Sequence, residues 1–518
     1  MRRAAALPSL AALALTAAYP LVAQEPAAPS QAREVVDTVC AACHGTAGTG
    51  GRAPSLVTAD LFARLGAGGV RQRIADGVPG TEMPGFAGTY DEATIAAIVA
   101  YLEGRAAAAQ APAAMPQPAA APAPNPDGQR FHSDEQDFRL VKVADGLDTP
   151  WALDFLPDGR MLVTERSGRL RVVDRDGTLL SPVAGTPAVH LGQDAGLFDV
   201  AVSPGYARDG WIYLSYSDNN PADPEPPPSP PGTPGHLVQR KPSMTVIVRG
   251  KLDASGAWTA QQDIFRLPWS AYSPSGAHYG TRMTFGPDGM LYFSLGDRGD
   301  MTNARRHDSP LGKIHRVNPD GTAPRDNPFV NERGAVPTIW SLGHRNPQGL
   351  AFDPATGLLW ESEHGPFGGD EINVIRKGLD YGWGTVSKGI QPGIELVSSE
   401  GLVEPAAWYF PTIAPSGIAF YDGDRYAGWK GSLFVASLRG EELRRLEVEG
   451  DRVVAQEVLF SRLGRVRDVA TGPDGLLYVI IQRPTGPGTG LELSAETPGA
   501  VFRLEPIEWT QEPFRRPS

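Results

Sequence analysis

One hydrophobic phrase recurs along the chain. FLPDGRMLVTE starts at Phe155, FGPDGMLYFSLGD at Phe285, FDPATGLLWESEHG at Phe352 and TGPDGLLYVIIQ at Thr471. VSPGYARDGWIYLSY at Val202 and FYDGDRYAGWKGSLFVASL at Phe420 are looser copies. Each reads as a strand, a tight Asp-Gly type of turn, and a second strand that is alternating or wholly apolar. Six such hairpins predict a mainly β region over residues 136–508, arranged as a six-bladed β-propeller. A pair of β-sandwiches is the other all-β arrangement that fits. A blade would average about 60 residues, so several loops must be long. NNPADPEPPPSPPGTPG, residues 219–235, is one such insertion.

The N-terminal part has a different period. Residues 31–45 and 91–104 carry apolar positions at helical spacing, which predicts a small all-α domain over residues 30–105. Alternating Ala and Pro then mark residues 106–135 as a semi-extended tether. Residues 1–23 open with Arg2 and Arg3, continue Ala- and Leu-rich, and reach Leu21-Val22-Ala23. This is the pattern of a cleaved secretory signal, so a periplasmic location is expected. No later stretch approaches about 18 apolar residues, so no membrane span is expected in the mature chain. With 518 residues and a formal net charge of -12, the chain is large enough for two or three domains and too acidic to expect nucleic acid as a partner.

The only two cysteines are Cys40 and Cys43, and His44 follows at once. C-x-x-C-H is the attachment signature of c-type haem. Two thiols one helical turn apart reach the two vinyl groups of one haem, and the adjacent imidazole turns to the iron. A zinc site would need further thiolates, and a redox C-x-x-C pair belongs in a strand–helix unit. Met83, in the Gly- and Pro-rich segment GVPGTEMPGFAG, is the candidate sixth ligand; a thioether there raises the haem potential. A haem between two terminal helices resembles the small class I cytochrome c domain.

Three clusters of chemistry-bearing residues stand out in the propeller region. His278 precedes one repeat and Asp297 ends it, so a hairpin returns them to the same face, where the Asp can fix the tautomer of the His. Arg345 and Asn346 lead into ESEHGPFGGDEINV, where the carbonyls of Gly365 and Pro366, with Asp370 and Glu371 near, suit a hard cation such as calcium. The spacing is not that of an EF-hand. Arg439, Arg465 and Arg467 are cations in an acidic chain, suited to carboxylate or phosphate if they converge.

The motifs LDTPWALDFLPDGRMLVTER, GQDAGLFDVAVSP, GTRMTFGPDG, LGKIHRVNPDG, LGHRNPQGLAFDP, HGPFGGDEINVI, YFPTIAPSGIAFY and GRVRDV occur in order between about Leu140 and Leu504. Together they resemble the soluble PQQ-dependent aldose sugar dehydrogenases. The resemblance implies a six-bladed propeller with pyrroloquinoline quinone (PQQ) at its top centre. It implies that His278 is the general base, oriented by Asp297, with Gln193 on the substrate side and Arg345 beside the quinone carbonyl. Asn346, Thr412, Arg439, Arg465 and Arg467 would hold cofactor oxygens, with Asp370 nearby. The carbonyls of Gly365 and Pro366 would bind the calcium that also grips PQQ, and Glu371 with the Tyr381 carbonyl would form part of a second, structural calcium site. Three positions depart from the glucose-oxidising branch. Ala277 stands where an acidic residue precedes the histidine, Arg439 where a lysine faces the cofactor, and Phe410 where a Trp lies. The expected activity is oxidation of an aldose sugar at its anomeric carbon to a lactone. Electrons would pass to the fused haem c and on to an external acceptor, a cytochrome or a terminal oxidase chain. The alternative is an electron-transfer or sugar-binding protein without dehydrogenase activity.

Overall fold

The computed structural model describes residues 32–33, 35–44, 48, 53, 55–78, 83–109, 125–227, 240–391, 401–485 and 497–507. The expected signal, residues 1–23, and residues 110–124 of the tether lie outside them, as does the 228–235 part of the proline-rich insertion.

Six antiparallel sheets are formed. The first has strands Pro150–Phe155, Met161–Glu165 and Arg169–Val173. The second to fifth begin at Leu197–Val202, Gly280–Phe285, Pro347–Phe352 and Pro415–Phe420, and each has four strands. The sixth begins at Arg465–Thr471 and ends with strands from the other end of the region, Phe138–Asp148 and Arg130–Phe131. There Leu140 pairs with Leu504 and Phe138 with Pro506, which fastens the start of the propeller to its end. The leading strand of each sheet touches the leading strand of the next, all the way round, so six blades close into a ring. The ring begins within the stretch read as tether, at Arg130.

Each recurring phrase is the hairpin that joins the first two strands of a blade. Its glycine is left-handed every time: Gly159, Gly210, Gly289, Gly357, Gly431 and Gly475 have φ between 67° and 89°. That conformation strongly favours glycine, which is why the sequence repeats it. In the three PDG copies the Asp carboxylate accepts a backbone N–H two residues on: Asp158 from Arg160, Asp288 from Met290 and Asp474 from Leu476.

Apolar side chains fill the spaces between blades, as with Trp360, Ile418, Phe420 and Val435 between the fourth and fifth. The inner strands are also tied by buried charge. Arg282 Nη1 lies 3.1 Å from both Asp199 Oδ1 and Asp468 Oδ1, and its Nε donates to the Gln348 carbonyl at 2.9 Å. One guanidinium thus joins four blades. Burial pushes the Asp199 carboxyl up to about 7 despite Arg282.

The N-terminal domain has a π-helical turn Val36–Cys40 running into helix Ala41–His44, then helices Ala59–Asp76 and Glu92–Ala109. The last reaches beyond the expected domain end at 105. The middle helix is absent from the sequence expectation because Gly66, Gly68 and Gly69 weaken its helical signal. At Gly66 the backbone leaves helical geometry (φ 61°, ψ 169°) and the helix kinks. Among the described residues no helix is long and apolar enough to cross a membrane.

Replacing Arg282 by Met leaves two buried carboxylates without their cation. The expected loss is about 3–5 kcal/mol, read from denaturant unfolding. A loss below about 1 kcal/mol would show that Arg282 does not hold the inner strands together.

Candidate active site

In the N-terminal domain, Cys40 and Met83 pack against one apolar cluster that includes Val39, Phe86, Ile95 and Leu102. Cys40 ends the π-helical turn, and Cys43 and His44 lie in the helix that follows it. The Met83 loop is held by Val78 N–H, which donates to the Met83 carbonyl at 3.1 Å. Gly77 makes this approach possible: its φ is 77°, and a Cβ there would stand 2.7 Å from the Met83 carbonyl oxygen. The chain therefore brings the attachment helix and the candidate methionine to one apolar core, which suits a haem.

In the propeller, His278 precedes the leading strand of the third blade and Asp297 follows the second strand, Leu291–Leu295. His278 Nδ1 lies 2.7 Å from Asp297 Oδ1. The carboxylate also accepts from Gly299 N–H and from Trp383 Nε1, each at 2.7 Å. Asp297 is therefore fixed on three sides. Burial alone would raise its carboxyl, but the His278 ring, the hydrogen bond to it and Arg345 hold it below its ordinary value. Burial, and then the charge of Arg345, lowers His278 from the ordinary 6.5. At neutral pH the ring is uncharged. Nδ1 then carries the proton shared with Asp297, and Nε2 is the basic nitrogen.

Arg345 connects this pair to the fourth blade. Its carbonyl accepts from Asp297 N–H at 2.8 Å, its own N–H donates to Glu363 Oε2 at 2.6 Å, and its Nη1 donates to the His364 carbonyl at 3.0 Å. The guanidinium carbon stands 5.3 Å from the Trp383 ring centroid. His364 is pushed down to about 3 by burial and by the charges of Arg345, Arg467 and His278. These four side chains therefore share one region.

Arg465 and Arg467 open the leading strand of the sixth blade. Burial lowers both, Arg465 to about 10, and the two cations repel each other. Glu441 is the largest opposing charge on Arg465. The Nε of Arg465, the Nε of Arg467 and the Nε2 of His364 are buried with no hydrogen-bond partner. Buried donors in this state are costly, and an anion with several oxygens satisfies them. The mouth fits a polycarboxylate such as PQQ on this ground.

Other expected residues are placed as follows. Gln193 has φ 48°, its carbonyl accepts from Arg166 Nη1 at 3.0 Å, and its Oε1 lies against Gly276, beside Ala277 and His278. Asn346 is buried, and its Oδ1 accepts from Gly280 N–H, two residues after His278, at 3.2 Å. Asp370 is spent on the loops around it. Oδ2 accepts from Thr412 Oγ1 at 2.6 Å and from the N–H groups of Ile413 and Ala414, each at 2.7 Å, while Oδ1 accepts from Gly365 N–H at 3.0 Å. Asp370 thus sets Thr412 and the Gly365–Pro366 turn. Arg439 is largely buried, and Glu441 acts on it most strongly among neighbouring charges.

Glu371 and Tyr381 line one small pocket with Ser387, Lys388 and Glu404. Glu371 is also a member of an acidic group that the sequence reading missed. Glu361 and Glu363 alternate along the second strand of the blade, opposite Asn373 and Glu371 on the third. All three carboxylates approach the single Nδ2 of Asn373, at 3.1, 3.3 and 3.3 Å, and His344 Nδ1 is 3.4 Å from Glu363. Burial and mutual repulsion raise Glu361 well above its usual range and Glu371 to about 8. Ligand atoms of His344, Glu361 and Glu363 lie within 4.8 Å of one another, so this donor set suits a divalent cation. The sequence signal was a pair of glutamates two positions apart, Glu361 and Glu363, at the end of the strand Leu359–Glu363.

The pattern of the family described as Glucose / Sorbosone dehydrogenase matches residues 147–489. That described as Cytochrome C oxidase, cbb3-type, subunit III matches residues 27–102. The aldose sugar dehydrogenase YliI of Escherichia coli is 37% identical over 354 residues, covering 66% of this chain and 90% of its own. Quinoprotein glucose dehydrogenase B of Acinetobacter calcoaceticus is 27% identical over 457 residues, covering 71% of this chain and 91% of its own. The PQQ-bound form of an aldose sugar dehydrogenase from Streptomyces coelicolor superposes with a TM-score of 0.55 at 30% identity, covering 71% of this chain and 98% of that one. The ring of six blades, the His278–Asp297 pair and the arginine-lined mouth lie within the matched span, and on these grounds the chain belongs to the glucose/sorbosone dehydrogenase family, with a cytochrome c domain joined to its N-terminus.

Proposed function

We propose that this protein is a periplasmic PQQ-dependent aldose sugar dehydrogenase that passes its electrons to its own haem c. The observation that carries the reading is the juxtaposition in one mouth of a neutral, carboxylate-held histidine and two buried guanidinium groups, those of Arg465 and Arg467, whose Nε atoms lack partners.

Bound PQQ supplies the acceptor for a hydride, that is, for two electrons and one proton. Arg439, Arg465, Arg467, Asn346 and Thr412 would hold its oxygens. Calcium would sit on the carbonyls of Gly365 and Pro366, in the turn that Asp370 shapes, and a second ion would sit near Glu371 and the Tyr381 carbonyl. His278 Nε2 takes the proton of the anomeric hydroxyl while the anomeric C–H leaves as hydride, so the sugar becomes a lactone. Asp297 keeps His278 in the tautomer that can do this and stabilises the imidazolium that results. Arg345 stabilises negative charge as it develops beside the histidine. Gln193, on the loop next to Ala277, faces the sugar. Cys40, Cys43, His44 and Met83 would hold the haem, which would supply a one-electron exit toward an external cytochrome or oxidase chain. The periplasmic reading rests on the signal pattern in residues 1–23 and on the C-x-x-C-H haem-attachment signature.

His278→Ala, loaded with PQQ and calcium and assayed with an aldose and a dye, is expected to lose about 10²–10⁴-fold in turnover while still taking up PQQ. Turnover within tenfold of the parent would place the base elsewhere.

The pH profile gives a second test. His278 must be neutral to act, and its proton affinity is held down, so the acidic limb of kcat/KM falls below pH 6.5. Arg345→Gln removes a charge that disfavours the imidazolium, so the limb moves to higher pH whatever happens to the maximum rate. A limb that stays in place or moves lower would contradict this assignment.

A further inference from the structure

The two domains meet at the mouth, and they do so through the haem-attachment turn. Arg439 Nη2 donates to the backbone carbonyl of Asp37, which lies in the π-helical turn Val36–Cys40. The π geometry explains why that carbonyl is presented. Ala41 N–H, which an α-helix would give to Asp37, goes to the Val36 carbonyl instead. The Asp37 side chain is held on its own domain by Arg33 Nε at 3.3 Å.

A second contact lies on another blade. Ile390 packs against the apolar cluster of the N-terminal domain, the one that contains Cys40 and Met83. Ile390 is bridged by backbone hydrogen bonds to Phe367, 3.1 Å from its N–H to the Phe367 carbonyl, directly after Gly365–Pro366. One contact therefore borders the arginine side of the mouth and the other the Gly365–Pro366 turn. The charge on Asp37 is felt at Arg439, together with that of Glu441 at the same rim.

A guanidinium has five N–H donors. With Nη2 engaged by Asp37, Arg439 keeps donors for an anion in the mouth, so one side chain can touch both. We propose that the haem-attachment turn docks on the cofactor rim of the propeller through Arg439 and Ile390, and that this contact, not the length of the tether, sets the rate at which electrons leave the mouth. The second half rests on the dehydrogenase reading above. Each crossing moves one electron and turns ferric haem iron ferrous. An external one-electron acceptor reoxidises it, so two crossings clear the two electrons that each sugar delivers.

The test uses the full haem-loaded chain and the variant Ile390→Asp, which places a carboxylate against the apolar cluster without altering a residue of the mouth. Small-angle X-ray scattering on both proteins, without substrate, is expected to show a larger maximum dimension for the variant. Stopped-flow mixing of the PQQ-loaded proteins with an aldose is expected to show haem reduction at least tenfold slower in the variant. Turnover with a small dye that reacts directly at the mouth should stay within twofold, which also reports that the variant is folded. Ile390→Ala, a milder change, is expected to separate the same two rates by about threefold. Equal scattering curves and equal haem-reduction rates would overturn the proposal. If the parent reduces no dye with any aldose, the dehydrogenase reading fails, whereas the scattering comparison still decides whether the domains dock.

Discussion

Burying positive charge at the centre of a ring of strands constrains everything else in this protein. Arg345, Arg465 and Arg467 cluster with His278 and His364, and burial acts against the charged form of each one that shifts. Among the described residues the opposing charges that act on this group include Asp297, Asp194 and Glu441. Such an arrangement is expensive without an anion to complete it. Burial and then Arg345 keep His278 neutral, and the His278 ring with Arg345 keeps Asp297 charged, so the anion site and the base share Arg345. The rigid scaffold beneath is what holds like charges together. Arg282 with Asp199 and Asp468 ties the inner strands, and Asp370 fastens three loop N–H groups with one carboxylate.

The blades were legible because each hairpin needs a left-handed residue at its turn, and glycine at that place repeats through the sequence. Ring closure was not legible. The pairing of Leu140 with Leu504 joins strands more than 350 positions apart, and no local pattern records it. The kinked helix Ala59–Asp76 was hidden by its three glycines. The helical signal at 91–104 was clear, but Ala-rich residues up to 109 extend it without changing the pattern.

The site was legible in two different ways. C-x-x-C-H carries its chemistry in its spacing, so the haem was readable from residues alone. The propeller site was not: His278, Arg345 and Arg465 come from three blades, and only the resemblance of whole motifs assigned them roles. Residues that act through others were invisible. Trp383 holds Asp297, and Glu363 holds the backbone of Arg345, yet an indole and a carboxylate in a strand look like ordinary core and surface positions until the strands are paired. That Asp370 also fastens Thr412 and the N–H groups of Ile413 and Ala414 was not legible, since acidity in a glycine-rich loop does not tell which N–H groups surround it.

The two domains acquire a joint meaning from chemistry. A sugar gives up two electrons at once, and a haem accepts one at a time. With the haem-attachment turn at the rim of the mouth, the proposed function would convert one kind of transfer into the other. The most direct measurement is an anaerobic titration of the PQQ- and calcium-loaded protein with substoichiometric aldose, following the absorbance of ferrous haem. The account predicts that the haem turns ferrous as sugar is oxidised, one equivalent per sugar in the absence of an external acceptor, with no added mediator. Sugar oxidation that leaves the haem ferric, or no oxidation at all, would contradict it.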